Sequence, residues 1–155
     1  MGKVVSREQL AEMLDAERRN NRVIVTTNGC FDILHVGHVR ILQQSRALGD
    51  LLVVGINGDD SVRRLKGPTR PINCSADRAE VLAALGCVDY VTVFDEDTPV
   101  EFLHKAKPNI HVKGADYKPS DLAETPVVES YGGRVEILAL VPGKSTTNMV
   151  EKIRD

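Results

Sequence analysis

The stretch VIVTTNGCFDILHVGHVRILQQSRAL, residues 23–48, decides how the chain folds. Its first five residues form an apolar, β-branched run that is typical of a buried parallel strand. Residues 39–48 show the apolar periodicity of an amphipathic helix, and Gly49 marks its end. The polar segment 28–38 therefore lies at a strand-to-helix turn, where open parallel sheets bind ligands. The helix that follows is expected to offer free N–H groups to an anion.

His35 and His38 are the chemically distinctive residues of this turn. Because they are three residues apart, the first turn of a helix directs both towards one ligand. An imidazolium donates from both ring nitrogens and stabilises charge on a phosphoryl group. Gly37 has no side chain, so a nucleotide can approach the backbone there. The alternative is structural, with His35 capping the loop and His38 half-buried in the helix, but the His-x-Gly-His spacing after a first strand favours phosphate binding.

Four further apolar segments predict strands at residues 50–57, 88–94, 108–113 and 134–140, and helical segments separate them. This alternation predicts an α/β fold, a Rossmann-like, doubly wound, five-stranded parallel sheet with helices on both faces. We expect one domain over residues 1–155, with an N-terminal helix in residues 1–21 and the core in residues 22–155. Helix N-caps are expected at Ser6 (with Gln9 completing a capping box), Asp59 or Asp60, Ser75 and Thr98.

The composition narrows the class of protein. The chain has 155 residues, 42% of them hydrophobic, and a formal net charge of −2. This near-neutral balance gives no electrostatic footprint for nucleic-acid binding. No apolar run approaches the length of a membrane span, and the N-terminus has no signal-peptide pattern. Three cysteines without CxxC spacing are typical of free thiols in a reducing compartment. We therefore expect a cytoplasmic protein that binds neither nucleic acid nor membranes.

Three of the cationic residues that follow the second predicted strand are candidates for binding an anion. Lys66 and Arg70 lie in a loop that is either a solvated linker or a phosphate-contacting segment at the same sheet edge as the histidines. Arg78 lies in the first turn of the helix predicted over 75–86, where the helix dipole disfavours a cation. Arg78 is therefore predicted to bind an anion, which is either an internal carboxylate or a substrate.

Two later segments are rich in polar groups. Lys113, Asp116 and Tyr117 follow the fourth predicted strand and suit a polyol phosphate, with a cation for phosphate and oxygen groups for hydroxyls. The alternative is a tight turn with a solvated lysine. The hydroxyl triplet 145–147 precedes the last helix, predicted over 149–155. Its hydroxyl and N–H groups predict an anion site, since a single hydroxyl would suffice for capping.

Segment 28–38 resembles the signature of the HxGH nucleotidyltransferases, the cytidylyltransferase-like group, which move a nucleotidyl group from ATP or CTP to a phosphorylated acceptor. Beyond about residue 22 the chain is similar to the adenylyltransferase domain of the bacterial ADP-heptose pathway. The matching segments are TNG at 27–29, FDILH at 31–35, GHV at 37–39, RLKG at 64–67, RP at 70–71, EDTP at 96–99, VKG at 112–114, DYKP at 116–119 and STTN at 145–148. Ala115 departs from the family pattern, which often has a second glycine there. Because that domain is often fused to a sugar kinase, we expect this 155-residue chain to be the stand-alone form.

The resemblance implies that D-glycero-β-D-manno-heptose 1-phosphate reacts with ATP, giving ADP-heptose and pyrophosphate for lipopolysaccharide core or related heptose glycan synthesis. It also implies Mg²⁺ as a cofactor and a homo-oligomer, a dimer. By matching position, the catalytic groups around the phosphates are His35, His38 and Lys66. The remaining predicted nucleotide-binding residues are Asn28, Gly29, Phe31, Asp32, Gly37, Lys113, Ser145, Thr146 and Thr147, of which the last three would bind the β- and γ-phosphates. The predicted acceptor-binding residues are Arg70, Arg78, Asp116 and Tyr117, and no metal ligand is assigned.

Two other functions are compatible with the sequence. A glycerol 3-phosphate or ethanolamine phosphate cytidylyltransferase shares the signature, although the loop 116–119 argues against it. A non-catalytic nucleotide-binding module is the second alternative. Binding alone would not require both histidines and the hydroxyl triplet, so their presence argues against that reading.

Overall fold

The structure, a computed structural model, describes residues 1–139 and 142–154. Six parallel strands form a sheet in the order β1-β4-β3-β2-β5-β6. Their bounds are β1 Lys3–Val4, β2 Ile24–Gly29, β3 Leu51–Asn57, β4 Tyr90–Phe94, β5 Ile110–Gly114 and β6 Arg134–Leu138. The α/β class and the parallel sheet are confirmed. The predicted ends of the last strand at residue 140 and of the last helix at residue 155 lie outside the described residues.

The prediction of five strands is wrong, because the N-terminus adds a sixth. Strand β1 pairs Lys3 with Tyr90 and Val4 with Val91 at the edge of the sheet. Both β1 residues are exposed, so this short edge strand lacks the buried apolar pattern from which the other five were predicted. The N-terminal segment therefore belongs to the same sheet as the core.

Helices cover both faces of the sheet. Helices α2 and α4 pack on one face, and α1, α5 and α6 pack on the other. The bounds are α1 Arg7–Arg19, α2 Val36–Arg46, α3 Asp59–Lys66, α4 Ser75–Ala83, α5 Val100–Ala106, α6 Thr125–Ser130 and α7 Thr146–Arg154, with a 3₁₀ turn at Pro119–Asp121. Within the described parts of the chain, no helix combines the length and the apolarity needed to cross a bilayer.

Two apolar layers flank the sheet, and their burial drives folding. Leu42 and Leu82 are fully buried in one layer, and Leu10 and Phe102 in the other. Every residue of β3 is buried, as expected for a central parallel strand. Gly55 in β3 admits the Phe102 ring, whose Cε2 lies 2.8 Å from the place a Cβ would occupy. The central strand therefore packs closely against α5.

The capping box at the start of α1 is confirmed. The Ser6 hydroxyl accepts from the Gln9 N–H at 3.1 Å, and Gln9 Oε1 accepts from the Ser6 N–H at 3.0 Å. The other N-cap predictions are wrong: Gly58, Cys74 and Pro99 precede α3, α4 and α5, without side-chain caps. The Asp59 carboxylate instead accepts from the Ser75 N–H at 2.8 Å and so joins α3 to α4.

The strand order places a topological switch beside β2. From β2 the chain adds β3 and then β4 on one side, and it returns to add β5 and β6 on the other. Connections on either side of such a point diverge, which leaves a crevice at the carboxyl ends of the two neighbouring strands. That crevice lies between the ends of β2 and β5.

Candidate active site

A cleft of about 740 Å³ opens at the carboxyl ends of β2 and β5. All of the predicted site residues except Arg78 line it: Asn28, Gly29, Phe31, Asp32, His35, Gly37, His38, Lys66, Arg70, Lys113, Asp116, Tyr117, Ser145, Thr146 and Thr147. The structure thus brings together the signature segment, the loops after α3 and β5, and the start of α7.

The two histidines form a reciprocal cap on α2. His35 precedes the helix, and its Nδ1 accepts from the Gly37 N–H at 3.1 Å. The Nδ1 of His38, in the first turn, accepts from the His35 N–H at 3.3 Å. The rings stack with centroids 3.8 Å apart. Because both Nδ1 atoms accept, each neutral ring has its proton on Nε2, which makes Nε2 a donor. The two histidines therefore cap the helix and also line the cleft. Helix α2 begins at Val36, three residues before the predicted start at residue 39.

Both rings favour the neutral form in the free cleft. Burial, followed by the neighbouring His35, lowers the pKa of His38 to about 4. Burial, followed by the Lys144 ammonium, lowers the pKa of His35. The doubly protonated imidazolium, which would donate from both ring nitrogens, is therefore not the form that the free cleft favours. Each ring offers one N–H donor at neutral pH.

Gly37 and Phe31 shape the histidine pair. A Cβ at residue 37 would lie 2.8 Å from Cε1 and 2.9 Å from Nδ1 of His35, so the His35 ring itself needs the glycine. The buried Phe31 packs its ring against His38 with centroids 5.1 Å apart. Phe31 has a φ of 48°, a backbone conformation that is costly for a bulky residue and is found at functional sites.

Asp32 holds the loop between α3 and α4 against the signature. Its carboxylate accepts from Arg70 Nε and from the N–H groups of Ile72 and Asn73, each at 2.8 Å. Burial opposes the charge on Asp32, but the Asn73 and Ile72 N–H groups and the Arg70 guanidinium hold its pKa below the ordinary value. Asp32 is therefore ionised, and with Arg70 it fixes one wall of the cleft.

Arg78 lies beneath the signature rather than in the cleft. Its side chain is fully buried and forms an ion pair with Asp59 at 2.9 Å. The guanidinium also donates to the carbonyl oxygens of Cys30, Asn57 and Asn73 at 2.7–2.9 Å. Arg78 therefore binds an internal carboxylate, that of Asp59. The prediction that Arg78 contacts the acceptor substrate is wrong, because its side chain is buried outside the cleft.

The loop after β5 supplies a second wall. Lys113 Nζ donates to Asn28 Oδ1 at 3.2 Å and forms an ion pair with Glu124 Oε1 at 3.2 Å. The same ammonium lies 5.0 Å from the Tyr117 ring centroid. Asp116 and Tyr117 are exposed along the cleft. Lys113 is thus a largely buried group of the wall rather than a solvated lysine.

The start of α7 completes the cleft. Helix α7 begins at Thr146 rather than at the predicted residue 149. Ser145 Oγ accepts from the Asn148 N–H at 3.0 Å, as a capping hydroxyl does. The Thr146 hydroxyl donates to the Ile33 carbonyl at 2.9 Å and joins α7 to the signature. Thr147 remains exposed on the cleft surface.

Three charged residues of the cleft, Asp121, Glu124 and Lys144, were missed in the sequence. Lys144 lies over the start of α2, where its Cβ is 3.5 Å from the position of a Cβ on Gly37. A cation directly before the hydroxyl triplet was the signal that would have identified it. Glu124 gave no such signal, because its partner Lys113 becomes apparent only in the fold.

Among the described residues, no group of three His, Cys, Asp or Glu side chains is arranged to hold a metal ion.

The fold and cleft define a nucleotidyltransferase of the α/β type. The chain belongs to the cytidylyltransferase-like family, whose model matches residues 26–151. It is 57% identical over 153 residues to the bifunctional protein HldE of Syntrophotalea carbinolica, covering 99% of this chain and 31% of that protein. It is 55% identical to the bifunctional protein HldE of Trichlorobacter lovleyi, and that match covers 97% of this chain and 31% of that protein. The resemblance found in the sequence is therefore confirmed, and the chain spans about a third of the length of these curated relatives.

Two solved structures share the fold of this chain. The lipopolysaccharide core biosynthesis protein of Thermoplasma volcanium is 30% identical, with a TM-score of 0.62, and the match covers 77% of this chain and 97% of that one. A pantoate-β-alanine ligase of Francisella tularensis, complexed with an ATP analogue and β-alanine, has a TM-score of 0.67 over 100% of this chain and 80% of that one. At 13% identity the second match shows the shared fold alone.

Proposed function

We propose that this domain transfers AMP from ATP to D-glycero-β-D-manno-heptose 1-phosphate, releasing pyrophosphate. The observation that supports this most is the stacked pair of His35 and His38, each with an Nε2–H donor. Both residues line the cleft, and helices α2 and α7 begin there. The HldE relatives and the lipopolysaccharide core protein support the heptose acceptor. They do not favour the glycerol phosphate alternative.

The acceptor phosphate needs no general base. A sugar phosphate has a second pKa of ~6 and is already largely a dianion at neutral pH. The barrier lies in bringing this anion to the α-phosphorus of ATP and in stabilising the charge that develops there. The residues of the cleft therefore act by positioning the two anions and by hydrogen bonding.

The histidines and Lys66 are the groups proposed to surround the α-phosphate. The two Nε2–H donors hydrogen-bond to phosphate oxygens, and the entry of a polyanion raises the pKa of both rings and strengthens these bonds. Lys66, exposed at the end of α3, supplies a positive charge to the α-phosphate or to the acceptor phosphate. Asp32 keeps that loop in place without contacting the reacting atoms.

The start of α7 is proposed to hold the β- and γ-phosphates. The first N–H groups of a helix lack partners within the helix and favour an anion. The exposed Thr147 hydroxyl and the Lys144 ammonium lie at this end. Pyrophosphate departs as an anion, so donors fixed there stabilise the leaving group.

Mg²⁺ is proposed to accompany ATP. Magnesium is commonly held by substrate phosphates together with one or two carboxylates and several waters. Such binding does not require a cluster of three protein ligands, and the described residues contain none. When bound to the phosphates, the ion neutralises charge on the leaving pyrophosphate. The ATP phosphates are its proposed ligands.

Pyrophosphate release in a matrix of substrates tests the proposal. ATP and CTP are each combined with heptose 1-phosphate and with glycerol 3-phosphate in the presence of Mg²⁺. We expect release with ATP and heptose 1-phosphate alone. Release with CTP and glycerol 3-phosphate would replace the proposal with the cytidylyltransferase alternative, and ATP binding without any release would favour the non-catalytic module.

The homodimer and the cytoplasmic location remain predictions from the resemblance and the composition. Light scattering of the purified protein measures the mass in solution, for which we expect twice the 17.0 kDa of this chain. Fractionation of the source cells measures the location.

A further inference from the structure

Glu124 is a buried carboxylate in the wall of the cleft, and the mechanism above does not use it. It directly precedes α6, and 4% of its surface is exposed. It lines the cleft beside Asp121 and Leu122. Acidic side chains are almost never buried to this extent unless they are paired. The burial of Glu124 therefore requires partners for its carboxylate.

Lys113 holds one side of this carboxylate. Its Nζ is 3.2 Å from Glu124 Oε1 and 3.2 Å from Asn28 Oδ1, so it joins the start of α6 to the ends of β5 and β2. A carboxylate has about four lone-pair sites, so a single ammonium does not satisfy Glu124. Among the described residues, the fully buried side-chain nitrogen and oxygen atoms without a hydrogen-bond partner are those of Thr92 and His111. Oε2 of Glu124 is not among them, and Glu124 is one of the residues that line the cleft.

The two ends of the cleft differ in chemistry. Near α2 and α7 the groups are donors and cations, namely His35, His38 and Lys144. Near α6 the carboxylates of Glu124 and Asp116 line the same cleft, and the Lys113 ammonium beside them is paired with Glu124. Carboxylates repel phosphate and accept hydrogen bonds from hydroxyls. The first end therefore suits phosphates, and the second suits the polyhydroxylated part of an acceptor.

We propose that Glu124 is a specificity-determining residue whose carboxylate accepts hydrogen bonds from hydroxyl groups of the acceptor sugar while Lys113 holds it in position. This inference rests on the proposed function. An acceptor that lacks the contacted hydroxyl leaves a buried carboxylate oxygen without a partner. Such a site rejects the deficient acceptor strongly.

The test compares heptose 1-phosphate with its monodeoxy analogues in the wild type and in Glu124→Gln, which preserves shape and removes the charge. For heptose 1-phosphate we expect kcat/KM to fall at least about tenfold, because charge-assisted hydrogen bonds are roughly twice as strong as neutral ones and Glu124 is desolvated. The loss should be in the KM for the acceptor, with the KM for ATP unchanged. For the analogue lacking the contacted hydroxyl, the variant should lose no activity relative to the wild type, because the missing hydroxyl removes the bond that Glu124 would make. Glu129→Gln, on the exposed face of α6, is the matched control.

The outcomes separate this inference from the proposed function. An active wild type with an unaffected Glu124→Gln overturns the role of Glu124 alone. An equal loss with heptose 1-phosphate and every deoxy analogue also overturns it, because Glu124 would then act only by placing Lys113. A wild type that releases no pyrophosphate from ATP and heptose 1-phosphate overturns the proposed function and this inference with it.

A second variant guards against misfolding. If Glu124→Gln lowers the melting temperature or abolishes ATP binding, the double variant Lys113→Met with Glu124→Leu replaces both partners of the buried pair by apolar side chains, which is often tolerated. We expect the double variant to lose the preference for heptose 1-phosphate over the deoxy analogue. A retained preference overturns the proposal.

Discussion

The ring of His35 occupies the space that a side chain on Gly37 would need. A methyl group at residue 37 would lie 2.8 Å from His35 Cε1, so Gly37→Ala must displace the ring. Because a misplacement of about 1 Å costs up to about 10²-fold in rate, we expect pyrophosphate release to slow by about that factor. Gly86→Ala is the control, since nothing lies within 4 Å of its Cβ position. Turnover of Gly37→Ala at the wild-type rate would show that this ring position is not needed.

His38 is predicted to be a direct donor to the nucleotide. We expect His38→Ala to lower kcat by roughly 10²-fold or more, as for the loss of one preorganised donor. His104→Ala, at an exposed position of α5 outside the cleft, should leave kcat unchanged. The measurement is steady-state pyrophosphate release at saturating ATP. Near-wild-type turnover of His38→Ala would remove the assigned role.

Asp32 is predicted to anchor the loop after α3. Asp32→Asn removes the ion pair with Arg70 and weakens the acceptor for the N–H groups of Ile72 and Asn73. Hydrogen bonds to charged groups contribute about 1.5–3 kcal/mol, so exchange of these two amides should accelerate by at least about tenfold. Hydrogen exchange measures this, with the exposed Asp77→Asn as control. Unchanged protection in Asp32→Asn would contradict the anchoring role.

His111 is predicted to make stability sensitive to acid. It is fully buried beside Thr26, and burial, followed by Lys113, lowers its pKa to about 3. The unfolded chain binds a proton at this histidine below about pH 6.5, whereas the folded chain does not. Stability from this group is therefore complete above about pH 6.5 and is lost as the pH falls from there towards 3.

Urea unfolding between pH 7 and pH 4 measures this effect. The free energy of unfolding should fall with acidification more steeply in the wild type than in His111→Val, which removes the titrating ring from the strand. The comparison matters because other groups, Asp32 among them, also lose stabilisation in acid. Parallel pH profiles of the two proteins would contradict the prediction.

The sequence predicted the parts of the fold that depend on local patterns. Five strands follow from apolar runs, and the start of α1 follows from the spacing of Ser6 and Gln9. The cleft was predictable because the carboxyl ends of parallel strands share one edge of the sheet. Within that edge, the signature and the later polar loops meet as expected.

The parts that the sequence did not predict depend on contacts between distant residues. Strand β1 exists through its pairing with β4, nearly ninety residues further along the chain. Asp59 does not cap its own helix because the Ser75 N–H and Arg78 compete for its carboxylate. The neutral state of His38 depends on burial, which the residue type alone does not indicate. Local patterns therefore located the site, while tertiary contacts set the protonation and the partners of its residues.

The most direct test of the central claim follows the oxygen atoms of the acceptor. Heptose 1-phosphate labelled with ¹⁸O in its phosphate is incubated with ATP and Mg²⁺, and the products are analysed by mass spectrometry. If the acceptor phosphate attacks the α-phosphorus, the label appears in ADP-heptose and the pyrophosphate is unlabelled. Label in the pyrophosphate, or consumption of ATP without a labelled nucleotide sugar, would contradict the account.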